Sequence, residues 1–144
     1  MKHTFTFDGQ ELTFSAPDNA AESAKRIITD LLSKAGFINI EFDDIKDILD
    51  GARDVAIGEG TASGENRCAD AARKAIEHIM DADRLIVSVQ SSPDVTLAEL
   101  ADAAEMVGES VDPTAQLIWA HVIDESLGDS VKVSVIAASF DMEI

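Results

Sequence analysis

The sequence predicts an α+β domain, with helices packed on a mixed four-stranded sheet and a β-hairpin in front. Three observations predict it. Asp8-Gly9 stands between two alternating runs in "HTFTFDGQELTFSA", the mark of a hairpin with a tight turn. Four later stretches carry apolar residues at the spacing of an amphipathic helix. Interleaved with them are runs of strand length rich in small and β-branched residues, such as "RLIVSVQ" and "VKVSVIAAS".

In the hairpin, Phe5 and Phe7 share one face, and Leu12 and Phe14 share one face across the turn. A lone two-stranded unit is not stable, so this apolar face must cover something. Pro17-Asp18-Asn19 breaks the second strand and offers a helix cap. Ala20, Ala24, Ile27, Ile28, Leu31, Leu32 and Ala35 then recur at helical spacing. Gly36 is expected to end that helix as the residue beyond its cap. Next comes "GFINIEFDDIKDIL", in which Phe42, Ile45, Ile48 and Leu49 make a short amphipathic helix that stops at Asp50-Gly51.

"ARDVAIG", Ala52 to Gly58, reads as a weak strand, and "EGTASGENR" as a small-residue loop. A helix is expected from about Glu65 to Met80, burying Cys68, Ala72, Ala75, Ile76 and Ile79. Arg84 to Gln90 is a buried strand. Thr96 and Glu99 stand at capping-box spacing before a helix carrying Leu97, Leu100, Ala101, Ala104 and Val107, which Asp112-Pro113 ends. Gln116–Ile123 and Val131–Ser139 are strands joined by "DESLGDS". No repeat, linker or low-complexity tract divides them, and 144 residues favour one folding unit.

Lys and Arg number 11 against 28 Asp and Glu, a net charge of −17. Such a surface repels phosphate backbones and anionic lipid, which argues against nucleic acid and membrane as partners. The bland reading of the charge is solubility, or life in a salty cytoplasm. Cys68 is the single cysteine, so no internal disulfide can form, as suits a reducing compartment. No apolar run approaches the roughly 20 residues of a membrane span. "MKHTFTFDGQ" has no apolar signal core. The expectation is a soluble, cytoplasmic protein.

Glu41 and Asp44 are three residues apart at a helix start, where a carboxylate gains from the helix dipole. Capping alone explains acids there. The functional reading makes Asn39, Glu41 and Asp44 a polar cluster that orients water or a cation. "GEGTASGENR" lies before a helix as phosphate cradles do, but lacks the G-x-x-x-x-G-K-S/T spacing and any nearby Lys, so it reads as a turn-forming loop. His3, His78 and His121 have no metal-site companions, and His121 reads as a sheet-face residue. Cys68 reads as a small core residue. No G-x-S-x-G nucleophile motif occurs.

"GFINIEFDDIKDIL", "GEGTASGENRCADAARKAI", "SPDVTLAELADAA" and "VIDESLGDSVKVSVIAASF" occur in that order. Together they resemble the C-terminal half of FtsZ, the tubulin relative, over about residues 18–140. The resemblance implies an N-terminal hairpin (1–17) before an FtsZ/tubulin C-terminal-type domain (18–144) that begins with the end of the family's central helix. It also implies that the acidic loop reaches into the nucleotide site of a neighbouring filament subunit. The family pattern there is N-x-D-x-x-D; Asn39 and Asp44 match it, and Glu41 departs from it by one methylene. The family's G-G-G-T-G-S/T-G nucleotide signature is absent, and "IAASF" stands where "IATGF" is usual. The resemblance therefore implies a stand-alone domain that binds no cofactor alone and meets GTP and Mg only through a partner. That partner would be an FtsZ-type GTPase or another copy. Asn39, Glu41 and Asp44 would act in trans, and the chain would not be an enzyme by itself. The alternative is a self-associating small-molecule or regulatory binding module that reuses the fold.

Overall fold

The chain reverses first at Asp8-Gly9. Both residues have left-handed backbone, with φ of 56° and 83°, as a two-residue hairpin turn that follows the strand twist requires. The computed structural model, which describes residues 1–79 and 82–140, pairs β1 (Lys2–Phe7) with β2 (Gln10–Ser15) in the register Phe5↔Leu12 and Phe7↔Gln10. Phe5, Leu12 and Phe14 point inward and are buried. The Phe5 ring stacks on Phe42 of the second helix with 6.4 Å between centroids. Backbone bonds fasten the hairpin to its own chain. Gly51 N–H donates to the Thr13 carbonyl at 2.7 Å and Ser15 N–H to the Ala52 carbonyl at 2.8 Å. Thr13 N–H donates to the Asp50 carboxylate at 2.9 Å.

After the hairpin come α1 (Asp18–Ser33), α2 (Phe42–Leu49), β3 (Asp54–Ala62), α3 (Arg67–Ala75), β4 (Arg84–Ser91), α4 (Leu97–Val111), β5 (Gln116–Ile123) and β6 (Val131–Ser139), with one 3₁₀ turn at Glu125–Leu127. The four later strands form a mixed sheet in the order β3-β6-β4-β5, in which β4 and β5 are parallel and the other pairs antiparallel. Both faces are covered. Ile86, Ile136, Ala138, Ala120 and Val122 face α1, α2 and the hairpin. Leu85, Val87, Val89, Val133 and Val135 face α3 and α4. Double burial explains why "RLIVSV" shows no polar alternation.

Two expectations need correction around β3. The strand runs past its expected end at Gly58 and through Ala62, so Gly60 of the expected loop is also a strand residue. Their missing side chains let α3 lie directly on the strand. A Cβ on Gly58 would come 1.7 Å from the Ala75 carbonyl oxygen, and one on Gly60 would come 2.4 Å from that of Ala71. The helix is also shorter than expected. It is regular only over Arg67–Ala75, with Ile76 buried and Ile79 partly buried in the turns that follow. Met80 lies outside the described residues.

Charged groups tie the layers. Arg67, at the start of α3 and nearly buried, donates to both oxygens of Glu99 at 2.9 and 3.3 Å and to the Asp129 carbonyl at 3.2 Å. Glu99 also closes the capping box of α4: Thr96 N–H donates to it at 3.0 Å, and its own N–H donates to Thr96 Oγ1 at 3.1 Å. The Arg67 hydrogen bond holds the Glu99 carboxyl below its ordinary value. At the polar end of the other sheet face, Glu59 accepts from Arg26 at 3.0 Å and Ser134 at 3.1 Å, with Lys132 at 3.5 Å.

Deleting Met1–Ala16 removes the lid over α2 and leaves Phe42 and Ile45 bare. Phe5, Leu12 and Phe14 contribute about 1.5–3 kcal/mol each when fully buried. The truncated chain is expected to melt well below the full chain or to associate. Thermal melts and solution mass check this, and unchanged values for both would show a dispensable arm.

Candidate functional site

β5 is an edge strand, and an uncovered edge invites pairing with other chains. Here the segment after α1 covers it. Ile123 N–H donates to the Ala35 carbonyl at 2.9 Å, and His121 N–H donates to the Ile38 carbonyl at 2.8 Å. Between these two bonds sits Gly36, and a Cβ there would come 1.7 Å from the His121 carbonyl oxygen. This corrects the expected capping role of Gly36. The helix ends at Ser33 with Lys34 as its cap, Gly36 is not among the residues with left-handed backbone, and close approach to β5 is what demands a glycine. Ala35 likewise lies outside the helix and is exposed.

The His121 side chain completes the seat. It is 1% exposed, its Nδ1 accepts the Phe37 N–H at 3.0 Å, and its ring lies 4.9 Å from that of Phe37. Its Nε2 lies 2.8 Å from Ser91 Oγ on β4. Burial lowers the imidazole from its ordinary 6.5. Sequence reasoning placed His121 on a sheet face and missed this role. The available signal was one ionisable residue inside the apolar run "LIWAHVI", but its loop partner lies 84 positions earlier.

Beyond this seat the loop presents its acids. Asn39 folds the turn back on itself: Gly36 N–H donates to its Oδ1 at 3.2 Å, and its Nδ2 donates to the Gly36 carbonyl at 3.1 Å. Glu41 is the N-cap of α2 and Asp44 its third residue, so Glu41 precedes the helix that the spacing assigned it to. Glu41 N–H donates to Asp44 Oδ2 at 2.9 Å. Phe42 and Ile45 are buried between exposed Glu41, Asp43 and Asp44, so apolar anchors turn the carboxylates outward. The fold thus brings Asn39, Glu41 and Asp44 onto one turn. Asn39 is occupied in holding the loop. Asp44 is partly occupied, though a carboxylate has about four acceptor positions. Glu41 is exposed at the positive end of the helix, where it and Asp44 stand as the two members of a capping box.

Other groups give less. Cys68 is buried, and desolvation, with Glu99 nearby, pushes its thiol up to about 11, so it packs rather than reacts. An open cleft of about 510 Å³ beside α3 is lined by Arg73 and Lys74. Both are already paired, with Asp70 at 2.7 Å and the Thr61 carbonyl at 3.0 Å. Among the described residues, no group of three or more His, Cys, Asp or Glu is placed to hold a metal ion, and no helix is long and apolar enough to cross a membrane.

The doubly covered mixed sheet is a fold shared with FtsZ proteins. Residues 54–141 match the FtsZ family, C-terminal domain, and the chain belongs to that family. The matched segment begins after the acidic loop. An empty FtsZ dimer from M. jannaschii is similar with a TM-score of 0.72 and 27% identity over 85% of this chain and 38% of that one. GDP-form protofilaments of TubZ from Bacillus thuringiensis serovar israelensis share the fold at a TM-score of 0.63 and 14% identity, over 87% of this chain and 36% of that one. A GTPγS-bound protofilament of CetZ2 from Haloferax volcanii does so at 0.57 and 16%, over 85% and 40%. The chain therefore spans well under half of each protein it resembles.

Replacing Gly36 with alanine should push the loop off β5. Loss of its two backbone bonds, each contributing about 1 kcal/mol, should speed amide exchange at His121 and Ile123 at least about tenfold. The central strands β4 and β6 should keep their protection. Unchanged exchange at His121 and Ile123 would contradict the seating.

Proposed function

We propose that this chain docks its acidic loop on the nucleotide face of an FtsZ-type GTPase and caps the filament there. The observation that carries the reading is the loop itself: a rigidly seated turn that points Glu41 and Asp44 outward from a fold of this family. The chain presents a loop face and carries no glycine-rich nucleotide signature. A filament can then accept it at one end, and no subunit adds beyond it. Asn39 holds the turn, while Glu41 and Asp44 face the partner's nucleotide. GTP and Mg come to this site with the partner. Glu41 and Asp44, both exposed at the helix start, are the acids that reach toward an attacking water.

Two measurements test this. First, the chain alone is expected to bind no GTP. Calorimetry with and without magnesium checks it, and saturable binding tighter than about 100 μM, which requires more than about 5 kcal/mol of contact, would contradict the reading. Second, sub-stoichiometric protein should shorten filaments of FtsZ from the same source, read by light scattering, while phosphate release reports turnover. A water-orienting group displaced by about 1 Å costs on the order of a hundredfold in rate, so the longer Glu41 should leave the terminal nucleotide trapped. Glu41→Asp should raise turnover at the capped end. Asp44→Asn keeps an acceptor for Glu41 N–H and removes the charge, so it should preserve docking and suppress that gain. If equimolar protein changes neither filament length nor turnover, docking is excluded and a self-associating binding module becomes the better account.

A further inference from the structure

The acidic loop is held to the sheet through one titratable side chain. The hydrogen bonds around it fix its protonation. Ser91 Oγ donates its proton to the Ser92 carbonyl at 2.9 Å, so toward His121 it can only accept, from Nε2–H at 2.8 Å. Phe37 N–H donates to Nδ1 at 3.0 Å, so Nδ1 carries no proton. The buried ring is neutral, in the Nε2–H tautomer. A second proton must go on Nδ1, where it would face the Phe37 N–H, donor against donor. We propose that His121 is a proton-operated latch: neutral, it seats the loop for docking, and protonated, it releases the segment from Gly36 to Asp44. The link to docking rests on the function proposed above.

Among the described residues, no charged side chain is hydrogen-bonded to the ring. From the loop the ring meets Phe37, and from β4 it meets Ser91. On the adjoining segments, Lys34 at the end of α1 pairs with Asp30 at 3.5 Å and acts on Asp124. Asp94, beyond β4, pairs with Arg67 at 3.6 Å. Burial is the cause of the imidazole's lowered value. The released loop has an ordinary histidine and binds the proton more tightly than the seated loop. Seating is therefore complete above the ordinary value of 6.5 and weakens as pH falls from there toward the lowered value.

NMR on the full chain between about pH 5 and pH 8 tests the latch across the range in which histidine titrates. The ring ¹⁵N shifts should report the Nε2–H tautomer at neutral pH. The amides of Phe37, Asn39 and Glu41 should move with the ring's own midpoint, below that of an exposed histidine. His121→Asn places an oxygen near the Nδ1 position and cannot titrate, so its loop amides should be insensitive to pH. His121→Ala should show the released loop at every pH; should it fail to fold, the wild-type titration decides alone. A ring protonated on Nδ1 at neutral pH, or a ring titration that the Phe37 amide ignores, overturns the latch. Co-sedimentation with FtsZ then separates the two readings. Wild type should lose about tenfold in affinity per pH unit below the ring midpoint relative to His121→Asn. A constant ratio overturns control of docking by the latch. Binding at no pH, with the NMR signature intact, leaves the latch standing and removes the docking function.

Discussion

A sheet that is apolar on both faces must be covered on both faces, and most of this structure follows from that constraint. Leu85, Ile86 and Val87 are fully buried in succession on one strand, so neither side tolerates water. On one side α3 and α4 suffice. They sit close because Gly58 and Gly60 thin the strand beneath α3, and Arg67 binds the start of α3 to the start of α4 through Glu99. On the other side α1 crosses the sheet and α2 lies beside it, and the hairpin completes the cover through Phe5, Leu12 and Phe14. The hairpin is thus part of the core and gains its own stability there.

The same constraint ties down the loop between α1 and α2. Residues between α1 and α2, two helices on the same face of the sheet, pass the open edge of β5 on the way. Pairing with that edge satisfies their backbone groups and blocks the edge at once. Gly36 allows the approach, His121 fills the space behind it, and Asn39 turns the chain outward. The acids of α2 then emerge at a set distance from the sheet. A loop held in this way has little conformational freedom left to lose, which is what preorganisation means for any partner it would meet.

Local chemistry was legible in the sequence where a short-range rule governed it. Asp8-Gly9 specified the hairpin turn, Thr96 and Glu99 specified the start of α4, and the β-branched runs placed β5 and β6 over Gln116–Ile123 and Val131–Ser139. The resemblance to FtsZ supplied the family, and the family match agrees with it. What failed depended on distant partners. Gly60 looks like a loop residue until α3 is seen above it. Gly36 looks like a helix stop until β5 is seen against it. His121 looks like an ordinary strand residue, because nothing near it in sequence shows that it accepts from the Phe37 amide. In the candidate site the acids were readable and their support was not.

The order of strands in the sheet has a consequence for how the chain is made. β6 follows the other strands in sequence, yet it lies inside the sheet, between β3 and β4. Until residues 131–139 have been synthesised, β3 has no neighbour in this sheet, and β4 keeps an open apolar edge beside β5. Helices α1 to α4 can form early, but the surface they need is incomplete. The nascent chain therefore carries exposed strand edges from the completion of β3 until β6 is made, a state prone to association. Its large excess of negative charge repels like chains during that interval. Burial of the sheet becomes possible only when its last strand arrives at its middle.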